Sequence, residues 1–179
     1  MLKREKDRLE QLAGRAVVGL PGAHVFSHAR GRGSLFGAGG AGFRYDSSIM
    51  PYRSYLYGEA GAPRAPYRLP AGLWELPPLV VTTPWGPFPA AGGFYLRVLP
   101  LFYSRWALRQ ARRQGRPAVL YLHPWEFDPD HPRPRLPLKQ RLIHNAGLSG
   151  ARRKLDGLLA GRRAATLGAY VECLEEGER

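Results

Sequence analysis

One histidine stands where proton chemistry is easiest to place. The run Ala118-Val-Leu-Tyr-Leu-His-Pro-Trp-Glu-Phe-Asp128 reads as a short buried strand, Ala118 to Leu122, that stops at His123. Pro124 has no N–H to continue a ladder, so His123 falls at the carboxyl end of the strand, where a loop begins. In open sheets and barrels built from alternating strands and helices, ligands bind at that end. Imidazole exchanges a proton near neutral pH, so a histidine there can serve as a general acid or base. The same residue type also serves merely to hydrogen-bond a loop, and an isolated His-Pro does not separate the two. Glu126 and Asp128, just beyond, either bind a substrate or are simply solvated.

Two further groups of residues invite a chemical reading. His24 and His28 stand four apart, as metal-binding pairs on a helix do. Gly22 and the neighbouring glycines argue against a rigid helix there, so this pair is read as a decoy. Tyr45-Asp46-Ser47-Ser48 reads as a strand end and turn, which an Asp-Ser pair is suited to form. The aromatics Tyr57, Tyr67, Trp74 and Trp85 are suited to stacking on sugar rings and equally to packing irregular backbone.

The elements that must position these groups are partly legible. Leu2 to Ala13 has helical spacing of apolar residues among charges, with Gly14 as the residue that ends it. A strand is expected from Val17-Val18, and residues 19–42 show no clear element. After a Pro-rich extended stretch from Pro51, strands are expected at Leu73–Leu76, Leu79–Thr83 and Phe94–Val98. Leu101 to Gln114 is amphipathic, with Pro100 before it and Gly115 past its end. A Pro-rich loop runs from Pro124 to Pro137. A helix over Arg152–Ala160 turns Leu155, Leu158 and Leu159 inward, and Thr166 caps a last helix from Leu167 to Leu174.

Composition bounds the rest. A chain of 179 residues with 44% hydrophobic residues suits one globular domain, here residues 1–179 with 160–179 as a helical tail. Cys173 is the lone cysteine, which excludes an internal disulfide and a cysteine-based zinc cluster. No apolar run reaches the roughly 18–20 residues of a membrane helix, and the charged start is not followed by a signal core. A cytoplasmic protein is expected. The net charge of +13 raises nucleic acid or another polyanion as a partner. Nearly all of that excess is arginine, scattered over 105–116, 133–141 and 152–163, which fits a GC-rich genome better than a built binding face.

Tyr121-Leu-His-Pro-Trp-Glu126 followed by Asp128-Pro-Asp130 resembles the last motif of the NodB-like polysaccharide deacetylases, and more closely their exosortase-associated subgroup. Further stretches resemble that family in the same order: Ala41-Gly-Phe-Arg-Tyr-Asp-Ser-Ser-Ile-Met-Pro51, Gly61 to Tyr67, Leu73 to Thr83, Ala90 to Pro100, Arg141 to Leu148 and Ala151 to Leu159. The resemblance implies an α/β fold, the C-terminal part of a distorted (β/α)7 barrel, incomplete here. It implies removal of acetyl groups from an acetylated polysaccharide. His123 is then the general acid, with Tyr45, Asp46, Leu122, Pro124, Trp125 and Glu126 as substrate-binding or supporting residues.

The same resemblance implies a divalent metal, zinc by expectation. The family's Asp-Asp motif and its own His-x-x-x-His pair have no counterpart in this sequence, and His24 and His28 lie on the wrong side of the first helix to be that pair. The chain is therefore expected to be a portion of a deacetylase that neither binds the metal nor turns over alone and that associates with the missing N-terminal half. Where the family has Phe-Arg-Ala-Pro, this chain has Leu20-Pro-Gly-Ala-His24, which is what codons for Phe-Arg-Ala-Pro-Thr spell when read one nucleotide earlier. A compensated frameshift over residues 20–41 is expected, and with it loss of the arginine that Asp46 would support. A carbohydrate-binding remnant without catalysis and a basic polyanion-binding protein are the alternative readings.

Overall fold

The computed structural model describes residues 2–20, 41–53, 58–90, 92–128, 130–132 and 135–178. His24, His28, Tyr57 and most of the stretch read as frame-shifted lie outside them. The chain divides into two compact units, Met1–Pro78 with Ala165–Arg179, and Leu79–Ala164.

In the first unit α1 spans Leu2–Ala13, as its periodicity predicts. Gly14 adopts φ +61° and its N–H donates to the Glu10 carbonyl at 2.9 Å, the left-handed residue that closes a helix. The Glu10 carboxylate accepts from Lys6 Nζ at 2.6 Å and from the Val17 N–H at 2.9 Å, so one side chain ties the helix to the chain leaving it. The strands are β1 (Gly19–Leu20), β2 (Tyr45–Asp46), β3 (Tyr67–Arg68) and β4 (Trp74–Glu75), in the order β1-β2-β4-β3. The first two pairings are parallel and the last antiparallel. The Val17-Val18 strand thus begins two residues later than its β-branched residues suggest. A small core of Ala41, Phe43, Leu69 and Leu73 packs with Val17, Ile49 and Tyr67. The last helix, α6 (Leu167–Gly177), starts at Thr166, whose hydroxyl accepts from the Ala169 N–H at 3.2 Å. Val171 is buried, and Arg44 pairs with Glu172 and Glu175 while Arg68 pairs with Glu178.

The second unit opens with a hairpin, β5 (Val80–Thr83) and β6 (Gly86–Pro89). Gln110 brackets its edge through hydrogen bonds to the N–H and C=O of Thr82. Next come α2 (Gly93–Val98) and α3 (Leu101–Arg113), then the extended stretch 116–123, a 3-10 turn at Pro124–Phe127, α4 (Leu138–Asn145) and α5 (Leu148–Leu159). Leu79, Val81, Ala90, Leu96, Ala107, Ala111 and Leu158 form the core, with Leu101, Trp106, Leu120, Leu122 and Leu155 packed around it.

Four expectations need correction. Phe94–Val98 is helical, not a strand: a short apolar run cannot distinguish the two, and here Gly93 at φ +47° turns the chain into a helix whose Leu96 enters the core. The stretch Ala118–Leu122 is extended but pairs only through bridges, Val119 O accepting from Leu79 N–H and Tyr121 O from Gly93 N–H. Helix α4 occupies residues left without an element, and α5 starts at Leu148 rather than Arg152. The class is mixed α/β with small sheets, and among the described residues the strands do not close a barrel. No helix of the described residues is long and apolar enough to cross a membrane.

Candidate functional site

The backbone around His123 is fixed by one buried carboxylate. The residue before a proline is driven out of the helical region, and His123 sits at φ −105°, ψ 140°. Pro124 then opens a one-turn helix, for which its fixed φ is suited. Glu126 Oε2 accepts from the His123 N–H at 2.9 Å, and the Glu126 N–H donates to the His123 carbonyl at 3.0 Å. The turn is thereby closed from both sides, as in a capping box. The half-buried His123 imidazole lies edge-on to Tyr121 at 4.8 Å and nearly parallel to Trp125 at 6.0 Å.

The other oxygen of Glu126 accepts from Arg97 Nε at 2.8 Å. Both side chains are almost wholly buried, at 4% and 1% exposure, so neither charge has water to replace its partner. Arg97 also donates to the carbonyls of His144 (2.8 Å) and Ala146 (2.6 Å), acceptors that the end of α4 leaves open. Lys154 Nζ in turn donates to the Arg97 and Leu99 carbonyls at 2.5 and 2.9 Å, which closes α2. Its ammonium is pushed below the usual lysine range by burial first and by Arg153 second. Gly147 lies against this network at φ +69°, where a Cβ would collide with the Arg97 backbone. The turn bearing His123 is thus joined to α2, α4 and α5 through Glu126 and Arg97. These bonds hold the backbone at His123, while its imidazole is placed by its contacts with Tyr121 and Trp125.

Trp125 stacks flat on the His144 ring, with centroids 4.3 Å apart and planes 9° apart. The His131 and His144 Nε2 atoms are 3.2 Å apart, and His131 Nδ1 is 3.0 Å from the Asp128 carbonyl. His144 is held below the ordinary histidine range by burial, then by His131 and Arg97, while Glu126 opposes them.

Asp46 belongs to the first unit. It is fully buried on β2, and its Oδ1 accepts from the Ser48 hydroxyl at 2.6 Å, the local side-chain pattern expected of an Asp-Ser-Ser turn. Ser47 donates to the Leu76 carbonyl at 2.6 Å. Glu75, also fully buried, faces Asp46 in register on β4, and its Oε1 accepts from the Ile49 N–H at 3.0 Å. Burial, and next the neighbouring Asp46 charge, push the Glu75 carboxyl up to about 9. Two adjacent buried carboxyls cannot both ionise cheaply, so Glu75 keeps its proton at neutral pH. Tyr45 lies with its ring over Gly19, where any Cβ would overlap it, and burial raises its phenol.

Of the residues picked from the sequence, Leu122, His123, Pro124, Trp125 and Glu126 are brought together in the second unit, with Leu122 packed at the core edge and Pro124 exposed. Tyr45 and Asp46 lie together in the first. Arg97, His131, His144, Lys154 and Glu75 went unrecognised. Arg97 and Glu75 had a signal: each is a lone charge inside an apolar run, Phe94-Tyr-Leu-Arg-Val-Leu99 and Leu73-Trp-Glu-Leu76, where a charge persists only with a partner or a proton. His144 stands in the Arg141–Leu148 stretch that carries the resemblance, and His131 had no signal.

A family model described as Domain of unknown function (DUF3473) matches residues 47–172. No curated protein and no solved structure matches the chain.

Proposed function

This chain belongs to the family described as Domain of unknown function (DUF3473), and we propose that it supplies the acid half of a polysaccharide deacetylase of the NodB-like type, with His123 as the proton donor. The observation that carries the reading is the clamp on His123: a half-buried imidazole at the end of an extended segment, its backbone held by Glu126 and Glu126 held by Arg97. The ordered run of motifs around Leu122-His-Pro-Trp-Glu126 supports it. In hydrolysis of an N-acetyl group, the leaving amine needs a proton as the C–N bond breaks, and His123 gives it. Trp125, beside that ring, is suited to excluding water from one side of it.

The family's Asp-Asp motif and His-x-x-x-His pair, which would hold the divalent metal that the resemblance implies, have no counterpart in the sequence. Among the described residues no three histidine, cysteine or carboxylate side chains gather as a metal cluster. In this reading the water-activating half comes from another polypeptide segment, which would also complete the (β/α)7 barrel of the resemblance.

Co-expression with the metal-binding front portion of a NodB-like deacetylase tests the reading. Acetate release from an N-acetylated oligosaccharide is expected, and His123→Asn is expected to abolish it while leaving the circular dichroism spectrum unchanged. Hydrolysis that survives His123→Asn at the full rate removes His123 from the mechanism. Metal-independent binding of the oligosaccharide without hydrolysis in any combination would favour a carbohydrate-binding remnant instead.

A further inference from the structure

We propose that His131 and His144 form a binding site for one first-row divalent transition metal ion of borderline character, such as Ni²⁺, Cu²⁺ or Zn²⁺. The site lies wholly within the second unit and is independent of the deacetylase reading and of the donor set which that reading implies.

The Asp128 carbonyl can only accept, so His131 Nδ1, 3.0 Å away, carries the hydrogen of the neutral ring. Its Nε2 is then a bare lone pair. That lone pair faces His144 Nε2 at 3.2 Å. Two imidazole nitrogens this close cannot both carry hydrogens, so the space between them holds one electrophile. In the free protein it is the His144 hydrogen. A metal ion is the other species that two imidazoles share.

The spacing suits an ion. With metal–nitrogen bonds of about 2.0–2.1 Å, neighbouring ligands of a tetrahedral site lie about 3.3–3.4 Å apart. A ring nitrogen bonded to a backbone carbonyl, with the other nitrogen turned to the metal, is the arrangement that metal-bound histidines use to fix tautomer and orientation. His144 is oriented differently, by its flat stack on Trp125. Burial also favours its neutral form, the form that ligates. The two nitrogens face each other along the N–H···N line, so each ring must pivot for both lone pairs to converge on one ion beside that line. On binding, the hydrogen on His144 Nε2 moves to Nδ1, and no net proton is released. Imidazole donors select nickel, copper and zinc over magnesium and calcium, and two protein ligands leave the remaining positions to water or to a ligand's own donors.

Calorimetric titration of the full chain with Ni²⁺ at pH 7.5 tests this. One equivalent is expected to bind, and His131→Ala and His144→Ala are each expected to weaken it at least about tenfold. The double change His24→Ala with His28→Ala is expected to leave it intact. If His144→Ala loses helix by circular dichroism, His144→Gln, which keeps a planar group over Trp125, is the variant read. Cu²⁺ should quench tryptophan fluorescence in the parent and quench it less in Trp125→Phe, because the ion would sit on the ring stacked against that indole. Absence of binding, binding indifferent to His131 and His144, or binding removed by the His24/His28 change overturns the proposal.

Discussion

Replacing Glu75 by glutamine should stabilise the protein, and increasingly so as the pH rises. Glu75 is fully buried beside Asp46, and its carboxyl titrates at about 9 against 4.5 for the ordinary group. Between those values the folded chain holds one proton that the unfolded chain has released. Stability therefore falls by about 1.4 kcal/mol per pH unit across that window as pH increases. At pH 7, about 2.5 units above the lower value, the accumulated loss is about 3 kcal/mol. Glutamine cannot ionise in either state, so that loss disappears. Its amide oxygen still accepts from the Ile49 N–H, and its amide group can still donate toward Asp46. Allowing about 1 kcal/mol for an imperfect replacement bond, Glu75→Gln should gain about 2 kcal/mol at pH 7 and more at pH 8.5, and should be less stable than its parent by up to about 1 kcal/mol near pH 4.5. Urea denaturation followed by circular dichroism at pH 4.5, 6, 7 and 8.5 gives the difference between the two proteins, in which the groups they share cancel. A variant less stable than its parent at pH 8.5, or a difference that does not grow from pH 4.5 upward, would show that Glu75 is ionised in the folded chain.

Glu126→Ala leaves Arg97 as a buried cation without its carboxylate and should cost about 3–5 kcal/mol in denaturant titrations, with Glu126→Gln costing less. Gly147→Ala places a Cβ into the Arg97 backbone at a left-handed position, and a loss of at least about 2 kcal/mol is expected by the same measurement. Leu158→Ala opens a cavity in the core of the second unit and should cost about 2–5 kcal/mol, read from the shift in urea midpoint. Thr166→Ala removes the hydroxyl that accepts from the Ala169 N–H and should cost about 1 kcal/mol, read as loss of helical signal on mild heating.

Local rules carried the reading of this chain as far as local rules reach. Helix α1 and its Gly14 terminator, α3 between Pro100 and Gly115, the Thr166 cap and the inward Leu158 were all legible, because caps, glycine conformations and a 3.6-residue period are written within a few neighbouring residues. His123 and its proline were legible for the same reason, since a proline limits the residue before it whatever else is near. The partners were not. Arg97 meets Glu126 from 29 positions away, and Asp46 meets Glu75 across the same separation. Whether a buried charge is paired, or gives up its charge for a proton, depends on what chain folding places beside it. The turn at Gly92-Gly93 makes the same point for backbone: an apolar run that suits a strand became a helix because its first N–H bonds to Tyr121 and its Leu96 reaches the core. The pairing of His131 with His144 has no sequence signature, because it exists only once α4 stacks an imidazole on Trp125 and the turn after Asp128 brings the other to meet it.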